Sequence, residues 1–97
     1  LQKDNIMYKF DEDKIMKEVK EHIDKTYEGH YNKNKFQATE FIIDSGHGEG
    51  FCIGNILKYA QRYGKKNGKN RADLMKVIHY SIIALHLNNG ESDETKH

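Results

Sequence analysis

The stretch FCIGNILKYAQRYGKK, residues 51–66, decides the fold because it combines a helical pattern with a helix terminator. Its apolar residues fall on one side of a helix with 3.6 residues per turn, namely Cys52, Ile53, Ile56, Leu57, Ala60 and Tyr63. Gly64 follows at the place where a residue with positive φ ends a helix. The stretch therefore predicts a helix from Phe51 to Tyr63.

The opposite face of this predicted helix is polar and cationic. Asn55, Lys58, Tyr59 and Arg62 share roughly one third of the helix circumference at about 100° per residue, and Lys65 and Lys66 follow in the turn. No acidic residue lies three or four positions from Lys58 or Arg62, so intrahelical ion pairs do not balance the charge. A phosphate would be bound well by such a cationic stripe. The alternative is an ordinary solvated helix face.

A turn and a last helix are predicted after the stripe. Residues 65–70, KKNGKN, are typical of a turn. Asn70 can cap the N-terminus of a following helix that runs to about Asn88, and Asp73 lies in its first turn, where a negative charge is favourable. The predicted core stripe of this helix is Leu74, Val77, Ile78, Ser81, Ile82 and Leu85. Apolar residues off that stripe predict a second buried contact, most economically a subunit interface; they are Met75, His79, Ile83 and Leu87.

The last two helices would form an antiparallel pair across their short turn. In that pair Asp73 could orient Arg62 or a lysine, and Tyr80 could lie across from Tyr59. A salt bridge between helices with no ligand is the structural alternative.

Two further helices are predicted nearer the N-terminus. Asp11 is a plausible N-cap for a helix to about Tyr27, in which Ile15, Val19 and Ile23 recur at i+4. Residues 28–35 read as a polar connection, FQATEFIIDSG predicts a short helix that stops at Gly46, and HGEG, residues 47–50, reads as a loop. Because no stretch alternates with period 2, we expect an all-α fold, a small compact domain of about four helices.

Composition limits what this domain can be. In 97 residues, 36% hydrophobic and 32% charged, one small core would be marginally stable alone, so we expect a homo-oligomer. The chain divides into a flexible lead, 1–10, an N-terminal amphipathic helix, 11–28, a helical core, 29–88, and a flexible tail, 89–97. A net charge of +1 makes nucleic acid an unfavourable partner.

Several site classes are excluded. No apolar run of about 18 residues predicts a membrane span, and one cysteine, Cys52, fits a reducing cytoplasm and an apolar core position. No G-x-x-x-x-G-K-[ST] loop is present, so a P-loop kinase is excluded. The histidine spacing closes no zinc site, and we expect no metal-binding residues.

Four segments together resemble a small phage-encoded domain family, catalogued mainly as a domain of unknown function, one member of which is the nucleotide kinase of T7-type phages. The segments are His30-Tyr31, ATEFI around Glu40, FCIGNILKYAQRYGKK, and DLMKVIHYSIIAL from Asp73 to Leu85. The resemblance covers roughly Gly29 to Leu87, and the string Gly-Asn-x-x-Lys-Tyr-x-x-Arg-x-Gly-Lys-Lys carries most of it. Tyr63 stands where a smaller residue is usual, and the first helix lies outside the resemblance.

The resemblance implies a nucleotide ligand. It points to Gly54, Gly64 and Lys76, and to a set of expected ligand-binding residues: His30, Tyr31, Glu40, Asn55, Lys58, Tyr59, Arg62, Lys65, Lys66, Asp73 and Tyr80. Lysines and arginine would hold phosphates, tyrosines would stack on a base, and Tyr31, Glu40, Asp73 and Tyr80 would form the rim. Mg²⁺ is the one cofactor implied, as the companion of a nucleotide.

Two functions follow from this resemblance. The first is a non-P-loop nucleoside monophosphate kinase that works in the host cell cytoplasm. The second is a sponge that sequesters a nucleotide-derived immune signal and so counters host antiphage defence. A kinase needs room for a donor and an acceptor, whereas a sponge returns its ligand unchanged.

Overall fold

Four α-helices make up the computed structural model, which describes the backbone of residues 6–88 and the side chains of residues 6–29 and 34–88. They are α1 (Glu12–Glu28), α2 (His30–Asp44), α3 (Gly48–Arg62) and α4 (Arg71–Asn88). No strand occurs in residues 6–88, so the predicted all-α fold is confirmed. The predicted lead is described from residue 6 on, where it is exposed and not helical, and the predicted tail lies outside the described residues. None of the described helices is long and apolar enough to span a membrane.

The predicted terminators are present. Gly46 and Gly64 have φ of 87° and 88°, which is the left-handed conformation that glycine adopts without steric cost. Asn67 and Gly68 also have positive φ and form the predicted turn. At the start of α4 the Asn70 side-chain oxygen accepts a hydrogen bond from the backbone N–H of Ala72 at 2.9 Å.

The cap predicted at the start of α1 is wrong in its chemistry. Asp11 occupies the N-cap position, but its φ is 58° and its side chain makes no capping hydrogen bond. Instead, the Glu12 carboxylate accepts a hydrogen bond from the backbone N–H of Phe10 at 2.9 Å. Asp11 therefore adopts a left-handed conformation at the start of α1, and the Phe10–Glu12 hydrogen bond orients the segment that precedes the helix.

Two predicted loops are helical in the structure. Within residues 28–35 only Gly29 interrupts the helices, with φ −93° and ψ 150°, and α2 already begins at His30. The HGEG loop contributes Gly48, Glu49 and Gly50 to the first turn of α3. A glycine costs about 1 kcal/mol in a helix interior, but Gly48 is buried, and a Cβ there would lie 2.8 Å from Cδ1 of Leu87. Close packing on α4 is what favours a helix at this glycine.

The helices α3 and α4 form the predicted antiparallel pair, but their inward faces differ from the prediction. Arg62 near the end of α3 contacts Asp73 near the start of α4, and Gly48 at the other end meets Leu87. Between these ends, the buried apolar side chains of the pair are Cys52, Tyr59, Met75 and Tyr80. The buried side of α3 therefore combines Cys52 of the predicted apolar face with Tyr59 of the predicted polar face.

The predicted core stripe of α4 is confirmed only in part, since Val77, Ile78 and Ser81 are half-buried and its other three residues are exposed. Leu74 and Ile82 are each 42% exposed and Leu85 is 71% exposed, while Met75 is buried. The residues predicted to make a second contact, between subunits, instead face the interior of the chain and are buried or half-buried: Met75, His79, Ile83 and Leu87. On α3 the predicted apolar face is also partly outside, since Ile53 is 47% and Leu57 is 63% exposed. The physical reason is that the Arg62–Asp73 ion pair and the stacked tyrosines set the rotation of both helices.

The helix α1 packs on α4, and α2 packs on α1 and α3, so a cleft remains between α2 and α4. Val19 is the one buried residue of α1, and Arg71 pairs with Glu18 at 2.6 and 2.7 Å on the surface. Tyr27 of α1 stacks on Phe36 of α2 with ring centroids 4.3 Å apart. The core of the described chain is thin, and one side of α4 together with α1 stays apolar and exposed.

Candidate anion-binding site

Two stacked tyrosines form the centre of the site. The rings of Tyr59 from α3 and Tyr80 from α4 lie nearly parallel, with centroids 6.1 Å apart and an interplanar angle of 11°. Both residues are buried, with 8% and 7% of their surface exposed, and Phe51 meets the edge of Tyr80 at 5.8 Å. Tyr59, expected as a surface member of the predicted stripe, is therefore instead a buried ring next to its cations.

Cations surround these rings. Nζ of Lys58, Nζ of Lys76 and Cζ of Arg62 lie 5.0, 5.0 and 4.7 Å from the centroid of Tyr59. Nζ of Lys35 from α2 lies 6.0 Å from the centroid of Tyr80. The negative face of an aromatic ring attracts cations at these distances. The tyrosine pair thus gathers four cationic groups from three helices.

One carboxylate compensates one of these cations. Arg62 donates from Nε and Nη2 to Oδ1 of Asp73, at 3.0 and 2.7 Å. Asp73 is 1% exposed, and its Oδ2 has no hydrogen-bond partner in the described part of the chain. This ion pair is the predicted orientation of Arg62 by Asp73. Because the charge of Arg62 is neutralised by Asp73, the uncompensated positive charge of the site belongs to the lysines.

The three lysines have no acidic partner within 4.0 Å among residues 6–88, where the ion pairs involve other residues. Lys35 and Lys76 line a cleft between α1, α2 and α4, whereas Lys58 contacts Tyr59 without lining the cleft. Uncompensated charges over a low-dielectric aromatic wall favour an anion nearby. The cleft is the place where such an anion can be enclosed.

The cleft has a volume of about 260 Å³. Its polar lining consists of His22, Thr26, Lys35, Thr39, Lys76 and His79, and its apolar lining consists of Phe36, Tyr80 and Ile83. None of the described residues that line it is acidic. The hydroxyls of Thr26 and Thr39 donate to backbone carbonyls at 2.7 and 3.0 Å, so their oxygens can still accept a hydrogen bond.

Both histidines of the cleft favour the neutral form. Burial lowers the pKa of His22 below 6.5, and the charges of Lys76, Lys25 and Lys35 lower it further. Burial likewise lowers the pKa of His79, with contributions from His22 and Lys35. Burial also raises the pKa of Tyr80, helped by Tyr59 and Cys52, so its hydroxyl stays a hydrogen-bond donor at neutral pH. A neutral imidazole can donate to a phosphate and can gain a proton when the phosphate arrives.

These histidines predict a loss of stability on mild acidification. The unfolded chain takes up protons near pH 6.5, before the folded chain does, because the pKa values in the fold are lowered. Stability is therefore complete above pH 6.5 and falls as the pH drops through the lowered values. Urea unfolding between pH 7.5 and 5.5 should show this slope, and His22→Gln combined with His79→Gln should flatten it. An unchanged slope in the double variant would contradict the assignment.

The structure places the other predicted residues at varying distances from this centre. Asn55 donates its side-chain amide to the backbone oxygen of Phe51 in its own helix at 2.9 Å. Lys65 and Lys66 are exposed in the turn after α3. Glu40 lines an adjoining cavity of about 390 Å³, which shares Phe36, Thr39, His79 and Ile83 with the cleft. The side chains of His30 and Tyr31 lie outside the described residues. At Gly54 a Cβ would meet no atom within 4 Å, so close helix packing within the chain does not require this glycine.

Sequence reasoning missed His22, Lys35, Thr39 and His79. The polar composition of residues 28–35 predicts a connection, so nothing in the sequence indicates that Lys35 lies in α2. His22 and Thr26 are four residues apart on α1, which is a signal that could have placed both on one face. No group of three or more metal-ligating side chains is found in the described chain.

Comparison with known proteins shows the family of this chain. A family model described as a protein of unknown function, DUF3310, matches residues 25–81, which is more than half of the chain. The chain belongs to this family. No curated protein and no solved structure matches it. The matched segment begins in the last turn of α1 and ends within α4, so it includes the tyrosine pair and most of the cleft lining.

Proposed function

From this membership in a family without an assigned function, we propose that the chain binds a phosphorylated small molecule of the nucleotide class in the cleft between α1, α2 and α4. The observation that supports it best is the surplus of lysines around the tyrosine pair. Lys35, Lys58 and Lys76 have no carboxylate partner among the described residues, while the nearby Asp73 is used by Arg62. Lys35 and Lys76 would hold the phosphate.

The rest of the cleft suits the rest of a nucleotide. His79, Phe36 and the edge of Tyr80 offer aromatic surface for a base, and the hydroxyl of Thr39 offers an acceptor. The volume of about 260 Å³ lies just below the range of about 300–1,000 Å³ that is common for ligand sites. The cleft by itself therefore has room for no more than one mononucleotide unit.

Capture without turnover is favoured by the lining of the cleft. No described residue in it is a carboxylate that could act as a base or hold Mg²⁺. The resemblance to a phage-encoded domain family suggests what such capture would achieve. The protein would act as a sponge that sequesters a nucleotide-derived immune signal and so counters host defence.

A nucleoside monophosphate kinase is the alternative, and one observation favours it. The adjoining cavity of about 390 Å³ shares a wall with the cleft and contains Glu40. A donor in one cavity and an acceptor in the other would satisfy the room that phosphoryl transfer needs. In that case Glu40 would orient the acceptor hydroxyl or a Mg²⁺ ion.

The experiment that tests the proposal is incubation of the protein with a mixed nucleotide pool, followed by mass spectrometry of the bound and released species. Retention of one intact nucleotide supports capture, and a changed phosphate number supports the kinase. If the protein retains no nucleotide and changes none, the proposal is wrong.

A matched pair of variants locates the site. Lys76→Gln should weaken binding of the retained nucleotide by about 10- to 100-fold, because it removes a charged hydrogen bond to phosphate. Lys14→Gln is the control, because it changes the net charge by the same amount. Lys14 is exposed and lies in the first turn of α1, away from the part of α1 that lines the cleft. Isothermal titration calorimetry should show nearly unchanged affinity for the control. Equal affinities of both variants would place the ligand elsewhere.

A further inference from the structure

A groove between α1 and α4 has walls that are almost entirely apolar. Its volume is about 530 Å³, and the apolar lining consists of Ile15, Met16, Val19, Ile23, Ile78 and Ile82. The charged residues that line it are Glu12 and Lys20, and Lys20 is already paired with Asp24 at 3.0 Å. Met16 is 72% exposed. An exposed groove with apolar walls is a candidate binding surface for a partner.

The same chain carries a second uncovered apolar segment directly before α1. We call residues 6–10 the N-terminal arm; its large apolar side chains are Ile6, Met7, Tyr8 and Phe10, which are 51%, 90%, 45% and 74% exposed. The arm has no regular secondary structure. Two apolar surfaces of one chain are thus both exposed, although they lie close together along the sequence.

Local bonds keep the arm away from the groove of its own chain. The backbone N–H of Phe10 donates to Glu12 at 2.9 Å, and Asp11 has a φ of 58°. The Asp11 carbonyl accepts the first helical hydrogen bond from Ile15 at 2.8 Å. The Phe10–Glu12 hydrogen bond and the positive φ of Asp11 define the direction in which the arm leaves α1, and folding back along α1 would require both to change.

We infer that the groove binds the N-terminal arm of a second copy of this chain, so that two copies exchange arms around a two-fold axis. The dimensions agree: five extended residues span about 17 Å, and the α1 wall from Glu12 to Ile23 is about 17 Å long at 1.5 Å per residue. Lys9 of the arm supplies the charge opposite to Glu12 at the edge of the groove. In a two-fold dimer both grooves and both arms are covered at once.

This arrangement also explains the thin core of the chain. The residues that pattern analysis predicted as the core side of α4 include Ile78 and Ile82, and both line the groove. They become buried when an arm covers them. The inference does not depend on the nucleotide site, because none of its residues lines the cleft.

Sedimentation velocity over a range of protein concentrations tests the dimer. The protein should be dimeric, and replacing Met7 and Phe10 together by serine should raise the dissociation constant by about 100-fold. Ile82→Glu should have a similar effect from the groove side. Phe41→Ser is the control, because Phe41 is 73% exposed on α2 and lines neither surface. A monomer at all concentrations, or a dimer that survives the arm variant, would overturn the inference.

Disulfide trapping distinguishes an arm that binds the groove of a second copy from an arm that folds back into the groove of its own chain. Met7→Cys and Met16→Cys proteins are mixed and oxidised; Cys52 is fully buried and does not interfere. A disulfide between the two different chains is expected. If the mixture gives no such species while the double variant forms the bond within one chain, the arm covers its own groove and the inference is wrong. A monomer that copurifies with an apolar small molecule in the groove would refute it as well.

Discussion

Replacing Arg62 by alanine is expected to lower the free energy of unfolding by about 3–5 kcal/mol, because it leaves a buried carboxylate without its counter-charge. Asp73 is 1% exposed and receives two hydrogen bonds from Arg62, at 3.0 and 2.7 Å. Its Oδ2 has no partner in the described chain, so Arg62 provides the side-chain hydrogen bonds that Asp73 accepts there. Urea unfolding at pH 7, followed by circular dichroism, measures the loss.

A matched control exists in the second arginine–carboxylate pair. Arg71 and Glu18 make contacts just as short, at 2.6 and 2.7 Å, but the Arg71 side chain is 63% exposed. Water solvates both groups when the pair is broken, so Arg71→Ala should leave the free energy of unfolding nearly unchanged. Equal losses for Arg62→Ala and Arg71→Ala would contradict the argument.

A double replacement separates charge from packing. Arg62→Met combined with Asp73→Leu removes both charges and keeps most of the volume, so it should recover most of the stability lost in Arg62→Ala. Such recovery would show that the unpaired carboxylate causes the loss. If the double variant is as unstable as Arg62→Ala, the hydrogen bonds themselves stabilise this helix pair.

The helices and their terminators could be predicted because they depend on neighbours along the chain. Gly46, Gly64 and Asn70 have the backbone angles or cap bonds that their residue types favour. The start of α3 could not be predicted in this way. Gly48 is helical because Leu87 packs against it, and that contact joins residues far apart in sequence.

The buried side of α4 could not be predicted because apolar residues occur on both of its sides. Leu74, Ile82 and Leu85 form the more regular stripe, yet Met75 and Tyr80 are the buried residues. Polar and aromatic contacts across the helix pair decided the rotation. The more regular apolar stripe of α4 is therefore partly exposed, and the less regular side is the one that packs in the core.

The tyrosine pair and its cations were within reach of sequence reasoning, whereas the cleft was not. Spacing along α3 and α4 suggested that Tyr59 and Tyr80 lie across from each other, and they do. The cleft needs Lys35 from α2 and His22 from α1 as well. The angles between three helices bring those residues together, and helical periodicity in a single sequence does not specify such angles.

Replacing Tyr59 by alanine is expected to lower the free energy of unfolding by about 3–5 kcal/mol, as is typical when a large buried aromatic residue is truncated. The ring is 8% exposed and stacks on Tyr80. It also lies between the cationic groups of Lys58, Arg62 and Lys76, which would then repel one another without its negative face. Thermal and urea unfolding both measure the loss.

Two comparisons identify the ring itself as the cause. Tyr59→Phe keeps the stacked ring and should retain most of the stability that alanine removes. Tyr27→Ala removes a ring that is 66% exposed and stacked on Phe36 at 4.3 Å, so its loss should be only about 1 kcal/mol. Should Tyr59→Ala cost no more than Tyr27→Ala, the tyrosine pair would not be the element that holds α3 against α4. In that case the rotation of α3 and α4 would rest on the Arg62–Asp73 pair alone.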